Sequence, residues 1–321
     1  MKSRIISLVL LLACALTVSA QDNNSQPSPT PPPTVIDDKK PIIVNTDLVT
    51  LHLTITDSYN RYVSGLKKNA FTVFDNDEQQ EIEFFSDEDA PVSVGILFDV
   101  SGSMSGDKIQ KARTALKKFI DTSHPMDEYF LIAFNKRAQL LLDRTRNGEA
   151  VLDKLTLVQP KDNTALYDAV YLGAERVTRG AHQKRAMIII SDGQDNNSRY
   201  TFNNVKRLLK ETDVTVYAIG ILGGGDYGSA NGALGQAYLD ELTGVTGGKS
   251  FYPTTNVEMD EIFERIAVEL RHQYSIGFRP SKFNNDGSWH KLKVKVKPPR
   301  GLPRLTIRTR EGYFATVTPK N

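Results

Sequence analysis

The fold class is decided by the stretch Val94-Gly95-Ile96-Leu97-Phe98-Asp99-Val100-Ser101-Gly102-Ser103. Its first five residues carry no polar side chain, as expected for a strand that is buried on both faces of a sheet. Side-chain oxygens then follow at alternate positions, on Asp99, Ser101 and Ser103. An apolar strand that ends in a polar loop is typical of a parallel sheet with a ligand site at its carboxyl edge.

Around this stretch, apolar runs alternate with helical patterns. Predicted strands cover residues 92–98, 129–134, 139–142, 186–190, 214–221 and 250–252, and predicted helices cover 108–122, 166–179, 202–211 and 258–271. In the first helix Ile109, Ala112, Leu116 and Phe119 share one face, which is the helical period. The alternation predicts an α/β fold over residues 91–270, with a doubly wound, mostly parallel sheet covered by helices on both sides.

The flanking segments show the period of two that is typical of strands. Apolar residues alternate with polar ones from Val49 to Ile55 and again from Leu292 to Val296, and short strands are predicted near 71–74, 81–85 and 273–278. A few short strands bury too little surface to fold alone. We therefore expect residues 42–90 and 271–318 to pair into one β-sandwich, into which the α/β domain is inserted.

The first twenty residues have the pattern of a secretory signal peptide. Lys2 and Arg4 precede an apolar run, and small residues end it, so cleavage after Ala20 is predicted. An alternative is that Cys14 becomes the lipid-modified first residue of a lipoprotein. Residues 21–41 are polar and proline-rich and predict an extended linker. No run reaches the roughly 20 apolar residues that span a membrane, so the mature chain is expected to be secreted, periplasmic or attached to the cell surface.

Composition narrows the function classes further. The chain has 321 residues, 40% hydrophobic and 24% charged, which is typical of globular proteins. The formal charge of +2 falls to zero when Lys2 and Arg4 are removed, so nucleic acid is not an expected partner. The one cysteine lies in the predicted leader, which excludes disulfides from the chain that remains after cleavage at Ala20.

Two further segments deliver polar residues to the same predicted edge of the sheet. Thr164 lies in a loop just before a predicted helix, and Asp192 follows the apolar run 188–190. Because the carboxyl ends of parallel strands meet at one edge, both residues are expected near Asp99.

These residues resemble the von Willebrand factor A domain and its metal-ion-dependent adhesion site, in which D-x-S-x-S, a distant Thr and a distant Asp surround one divalent cation. The resemblance covers about residues 91–270, and the matching positions are Asp99, Ser101, Ser103, Thr164 and Asp192. The flanks are similar to a group of secreted bacterial A-domain proteins through short stretches at 63–66, 70–71 and 310–313.

The resemblance implies a metal site that binds proteins. Asp99 and Asp192 would bind the ion directly or through water, while Ser101, Ser103 and Thr164 would offer hydroxyl oxygens. Hard oxygen ligands without His or Cys favour Mg²⁺ or Mn²⁺ over zinc. An open coordination position would then capture an Asp or Glu carboxylate of a protein partner. The expected function is adhesion or scaffolding, and no enzymatic activity is expected.

Alternatives remain open at this point. Asp99 and Ser101 could simply cap a helix that begins near Gly106. The metal could serve stability alone, in a structural assembly factor that makes its contacts through the β-sandwich. A metal-dependent hydrolase is less favoured, because no second acid follows Asp99 closely and no Gly-x-Ser-x-Gly motif occurs.

Three other stretches have simpler interpretations. Residues 75–78 predict a hairpin turn rather than a calcium loop. The glycine-rich stretch from Gly223 to Gly235 predicts a loop near the ligand rim. Asp195 and Asn196 are expected to shape a turn rather than to contact a ligand.

Overall fold

The computed structural model describes residues 48–223, 229–282, 286–298, 301 and 304–315. The predicted signal peptide (1–20) and linker (21–41) lie outside these residues. The described strands are β1 (Val49–Thr56), β2 (Phe71–Asp75), β3 (Glu78–Gln80), β4 (Ile82–Ser86), β5 (Val92–Asp99), β6 (Glu128–Phe134), β7 (Ala138–Thr145), β8 (Lys184–Ser191), β9 (Thr215–Gly220), β10 (Lys249–Phe251), β11 (Tyr274–Phe278), β12 (Trp289–Val296), β13 (Thr306–Arg308) and β14 (Gly312–Phe314). The described α-helices are α1 (Asp107–Thr122), α2 (Gly148–Thr156), α3 (Leu166–Val177), α4 (Phe202–Glu211), α5 (Ala230–Gly244) and α6 (Asn256–Arg271).

The central sheet has the order β10-β9-β8-β5-β6-β7. Every neighbouring pair is parallel except β6 with β7, which is antiparallel. All eight residues of β5 are buried, because helices cover both faces of the sheet. One face packs against α1 and α6, and the other packs against α3, α4 and α5. The predicted doubly wound α/β fold is confirmed.

Helix α1 illustrates how the sequence specifies these layers. The predicted face of Ile109, Ala112, Leu116 and Phe119 is buried against the sheet. Phe119 also meets Phe263 of α6 edge to face, with ring centroids 6.4 Å apart. Apolar residues at helical spacing therefore both form the helix and dock it.

Strands from both ends of the described chain form the predicted β-sandwich. Its two antiparallel sheets have the orders β13-β1-β11-β4 and β14-β12-β2-β3. In the first sheet Leu51 lies opposite Ile276, and both side chains are buried in the core shared by the two sheets. The predicted turn after β2 is also confirmed, since Asn76 and Asp77 have positive φ and connect β2 to antiparallel β3.

Strand β1 differs from the prediction of a strand with one solvent-exposed face. Its apolar face fills the sandwich core, but Thr54 on the polar face is also buried, at 3% exposure. His52 on that face is half-buried and its Nδ1 lies 3.1 Å from the Ser275 hydroxyl. The period-two pattern detected the strand correctly, but it could not show that residues of the α/β region cover the polar face.

Two helices were missed by the sequence patterns. Helix α2 is only nine residues long and buries just Val151 and Leu155. Helix α5 begins at Ala230, so the loop predicted over 223–235 is wrong from that residue onward, while 224–228 lie outside the described residues. Gly235 is needed there for close packing, because a Cβ at this position would lie 2.6 Å from the Asp192 carbonyl oxygen.

A buried carboxylate, Glu269 of α6, joins the α/β region to the sandwich. Its Oε1 accepts hydrogen bonds from Thr54 Oγ1 (2.9 Å), Tyr217 Oη (2.8 Å) and Arg308 Nη2 (2.6 Å). Its Oε2 accepts a hydrogen bond from Tyr62 Oη (3.1 Å). Three of the four donors come from β1 and β13 of one sandwich sheet and from β9 of the central sheet, so one side chain ties α6 to these two sheets.

Replacing Glu269 is expected to destabilise the whole unit. In Glu269→Ala the Arg308 charge and three hydroxyl groups lose their shared acceptor. The free energy of unfolding should fall by about 2–4 kcal/mol, somewhat below the cost of breaking a fully buried pair because Arg308 is 23% exposed. Urea denaturation measures this, with Glu264→Ala on the exposed side of α6 as the control, expected within about 0.5 kcal/mol of the parent. Equal stability of the two variants would contradict the linking role of Glu269.

His52 is expected to make stability pH-dependent. Burial lowers the pKa of His52 below its ordinary value of 6.5; Asp213 opposes the shift, whereas Lys184 and Arg310 add to it. Above pH 6.5 the imidazole is neutral in both states and has no effect. Below pH 6.5 the unfolded chain binds more protons at this imidazole than the folded chain does, so the free energy of unfolding should fall by up to about 1.4 kcal/mol per pH unit until the lower pKa of the folded protein is reached. His52→Gln should flatten this slope in denaturation series from pH 7 to 5, and the exposed His272→Gln serves as the control.

Candidate metal site

Asp99 is the last residue of β5 and is fully buried. Its Oδ1 accepts a hydrogen bond from the Ser101 backbone N–H (2.8 Å), and its Oδ2 accepts one from the Ser191 hydroxyl (2.6 Å). Burial raises the pKa of Asp99 to about 7, although these hydrogen bonds oppose the shift, and the nearby charge of Asp192 adds to it. The hydrogen bonds thus fix the orientation of the Asp99 carboxyl group, but they supply no positive charge to balance its negative one.

The loop after β5 presents the two serines together. The hydroxyl oxygens of Ser101 and Ser103 lie 3.0 Å apart; Ser101 is buried and Ser103 is exposed. The loop that contains Thr164 packs against this one, since the Gly102 N–H donates to the Asp162 carbonyl oxygen at 3.0 Å. Residues predicted from separate segments are therefore brought to one edge of the sheet.

Thr164 is held from the other side by the loop that follows Asp192. Its N–H donates to Asn196 Oδ1 (2.9 Å), and its carbonyl oxygen accepts from the backbone N–H groups of Asn196 and Asn197 (both 3.0 Å). Thr164 itself is 4% exposed. The three loops hold one another in place through their backbones.

Asp192 completes the set and is fully buried. Its Oδ1 accepts a hydrogen bond from the Gln194 N–H (3.1 Å), but its Oδ2 is buried without a hydrogen-bond partner among the described residues. A buried carboxylate oxygen without a partner is costly and calls for an explanation such as an ion. Two carboxylates surrounded by hydroxyls are the hard oxygen donors that Mg²⁺ and Mn²⁺ prefer, so the residues fit such an ion.

A different kind of metal site finds no support in the described part of the chain. There, no three His, Cys, Asp or Glu side chains are grouped as metal ligands. The helix-capping alternative is not supported either. Helix α1 begins at Asp107, and its N-cap residue is Gly106 rather than Asp99 or Ser101. Asp99 and Ser101 are thus left for another role.

Several residues that support the site were not predicted from the sequence. The Ser191 hydroxyl donates to Asp99 and accepts from the Gly193 N–H (3.1 Å), so it orients a carboxylate. Asn196 holds Thr164, and Asp195 accepts from the Tyr167 N–H at the start of α3 (3.1 Å). Asp195 and Asn196 do shape a turn, as expected, but that turn also positions Thr164. Ser191 directly precedes Asp192 in the sequence, and this position is the signal by which the sequence could have identified Ser191 as part of the site.

The match to a known family agrees with this geometry. The model of the von Willebrand factor type A domain matches residues 93–265, which is more than half of the chain. The chain belongs to this family. The region of the match contains the central sheet and all five predicted site residues, and it supports a protein-interaction module.

Relatives of the A domain differ widely in the length of chain they share with it. Human inter-alpha-trypsin inhibitor heavy chain H4 is 28% identical over 135 residues, which is 37% of this chain and 14% of the human protein. A UPF0353 protein of Mycobacterium ulcerans is 25% identical over 242 residues, covering 68% of this chain and 70% of that protein. The chain spans about a quarter or less of the length of the first curated relatives that it matches.

Solved A-domain structures are also similar to this one. A von Willebrand factor type A protein from Catenulispora acidiphila aligns with a TM-score of 0.47 at 13% identity, covering 83% of this chain and 73% of that one. The vWF domain of the type V pili tip protein Mfa5 from Porphyromonas gingivalis aligns with a TM-score of 0.46 at 13% identity, covering 56% and 96%.

The charge of Asp99 yields a prediction about the metal-free A domain. In EDTA, Asp99→Asn should raise the free energy of unfolding, because it removes a buried negative charge beside Asp192. The new amide oxygen still accepts from the Ser101 N–H, and the amide nitrogen replaces the present Ser191-to-Asp99 bond with a donation to the Ser191 hydroxyl oxygen. With a pKa of about 7 for Asp99 and about 1.4 kcal/mol per pKa unit, the gain should be about 2–4 kcal/mol at pH 8.

The same gain should shrink as the pH falls below 7, because the folded protein then carries Asp99 protonated and uncharged. Chemical denaturation at pH 8 and pH 5.5 measures both values. The exposed Asp143→Asn, on β7, is the matched control and should change little at either pH. A loss of stability in Asp99→Asn at pH 8 would show that the carboxylate is not repelled in the metal-free protein.

Proposed function

We propose that this A domain is a divalent-metal-dependent protein-binding module that captures an Asp or Glu side chain of its partner. The observation that carries the proposal is the buried Asp192 Oδ2, which has no hydrogen-bond partner among the described residues and acts electrostatically on Asp99. A cation beside these two carboxylates would balance their charge and satisfy the free oxygen.

The proposed ligands are Asp99, Ser101, Ser103, Thr164 and Asp192, and the proposed ion is Mg²⁺ or Mn²⁺. Two carboxylates balance a doubly charged ion, while the hydroxyl groups are neutral. A bound ion would therefore supply an electrophilic centre for the carboxylate of a partner. The backbone contacts among the three loops would keep Thr164 and the serines in position during binding.

Export of the module is part of the proposal. The predicted leader, with cleavage after Ala20 or lipid attachment at Cys14, would place it outside the cytoplasm, where an adhesion or scaffolding protein acts. None of the described helices combines the length and the hydrophobicity that a transmembrane helix requires.

Two other functions predict different behaviour. In a structural assembly factor the metal would stabilise the fold, and partner binding would not depend on the site. A hydrolase would need a positioned base or a strongly acidified water, and the hydroxyl-rich ligand set offers neither directly. Binding is therefore the function that the side chains of this site support best, and the absence of enzymatic activity stays a prediction.

The test begins with thermal melting of the protein in EDTA and after addition of Mg²⁺, Mn²⁺ or Ca²⁺. An ion present at 100 times its dissociation constant should stabilise the fold by about 2.7 kcal/mol. The shift with Mg²⁺ or Mn²⁺ should disappear in Asp99→Ala and Ser101→Ala, and it should persist in Ser105→Ala, an exposed residue beside the same loop. No shift in the parent protein would remove the metal from the proposal.

Partner capture is measured with the same proteins on peptide arrays in which Asp- or Glu-containing peptides stand beside their Asn or Gln counterparts. We expect binding of acidic peptides that requires Mg²⁺ and is lost in Thr164→Ala, while the melting temperature in EDTA stays close to that of the parent. Thr178→Ala, at the exposed end of α3, should bind normally. Capture that survives EDTA or Thr164→Ala would favour the structural alternative.

A further inference from the structure

A pocket lies at the junction between the A domain and the sandwich, away from the candidate metal site. It has a volume of about 260 Å³ and is bounded by β1, β10, α6 and β13. Its lining contains the cations Lys249, Arg265 and Arg308, the carboxylate Glu269 and the phenol of Tyr62. Neutral donors at its rim are Thr56, Asn60 and Thr306.

The charges in this pocket do not balance. Arg308 is paired with Glu269 at 2.6 Å, and these two charges cancel. Lys249 lies over the Phe251 ring at 5.3 Å, but no ion pair joins Lys249 or Arg265 to a carboxylate in the part of the chain that the structure describes. Three cations and one carboxylate leave a net charge of +2.

The positive charges of the two arginines act unfavourably on Lys249. Burial lowers the pKa of Lys249, and the charges of Arg308 and Arg265 lower it further, with only Glu269 opposing them. A pocket in which cations outnumber carboxylates is less favourable than a balanced one, and bound negative charge would relieve the excess.

Hydrogen bonds among the lining residues also hold the pocket in shape. The Tyr62 hydroxyl shares its one hydrogen between the Arg265 carbonyl oxygen (3.2 Å) and Glu269 Oε2 (3.1 Å), which fixes α6 against the loop after β1. Glu269 in turn fixes the Arg308 guanidinium. Arg265 and Lys249 are left on the solvent side, where they can reach a ligand.

We infer that this pocket binds a phosphate group in its doubly charged form. A phosphate monoester carries about −1.5 to −2 charges near pH 7, which matches the excess of +2, whereas one carboxylate would leave a cation unbalanced. The Arg265 guanidinium can donate two parallel hydrogen bonds to phosphate oxygens, and Lys249 adds a point charge. The phosphate could be free or carried by a larger molecule, and the recognition chemistry is the same.

Calorimetric titration of the purified protein tests the inference, using inorganic phosphate and O-phosphoserine as probes at pH 7.5. EDTA is present throughout, so the result does not depend on the proposed metal site. Binding should saturate with one site per chain, and Arg265→Gln and Lys249→Gln should each weaken it at least tenfold. Arg207→Gln removes an exposed cation of α4 that is paired with Glu211, and it should bind within twofold of the parent.

The outcomes separate clearly. Equal affinity for both probes would indicate free phosphate, and tenfold tighter binding of O-phosphoserine would indicate a phosphate carried by a larger molecule; both support the site. Absence of saturable binding, unchanged affinity in both pocket variants, or equally tight binding of acetate at the same ionic strength would overturn it. Melting temperatures of the variants without phosphate, at or above that of the parent, confirm that they are folded.

Discussion

The junction between the A domain and the sandwich depends on one buried carboxylate that receives hydrogen bonds from both regions. Glu269 lies at the end of the last helix of the A domain and accepts hydrogen bonds from Thr54, Tyr62, Tyr217 and Arg308. Tyr217 belongs to the central sheet, Thr54 and Arg308 belong to the amino- and carboxyl-terminal segments of the sandwich, and Tyr62 belongs to a connecting loop. Burying a charge is costly unless every oxygen is satisfied, so the carboxylate specifies one arrangement of the sheets and disfavours others. The helix is followed almost at once by β11, and the contact therefore also directs the chain into the sandwich.

Much of this fold could be predicted from the sequence, because its main strands and helices have the apolar patterns of their environments. Strand β5 is apolar from Val94 to Phe98 since both of its faces are covered, and α1 is apolar on one face since only that face is covered. The errors arose where burial depends on distant segments. The polar face of β1 is covered by parts of the chain more than 150 residues away, and no local pattern records that. Helix α5 looked like a loop because it contains several glycines, of which Gly235 serves close backbone approach to Gly193 rather than a turn.

In the candidate site, too, some residues could be predicted from the sequence and others could not. Its proposed ligands follow apolar strands or precede a helix, and strand order in a parallel sheet brings such positions to one edge. The residues that orient them could not be found in this way. Ser191 and Asn196 act through hydrogen bonds to Asp99 and Thr164, and their partners are 92 and 32 residues away along the chain. Ser and Asn at the end of a strand or in a turn are common for local reasons, so their type alone does not distinguish positioning from turn formation.

The position of the sandwich beside the central sheet affects both the candidate metal site and the pocket at the junction. Lys184, at the start of β8, donates to the carbonyl oxygens of Glu88 and Gln273, beside the ends of β4 and α6, so the sandwich adjoins the amino edge of the parallel sheet. Ser191, at the end of the same strand, contacts Asp99 at the carboxyl edge. Seven residue steps of a parallel strand separate the two edges by about 23 Å. The described strands of the sandwich therefore lie toward the amino edge, away from the proposed metal ligands at the carboxyl edge, and their junction with the A domain bounds the pocket proposed to bind phosphate. Because the two surfaces share no side chain among those described, a ligand at one need not displace a ligand at the other, and the chain could bind both at once.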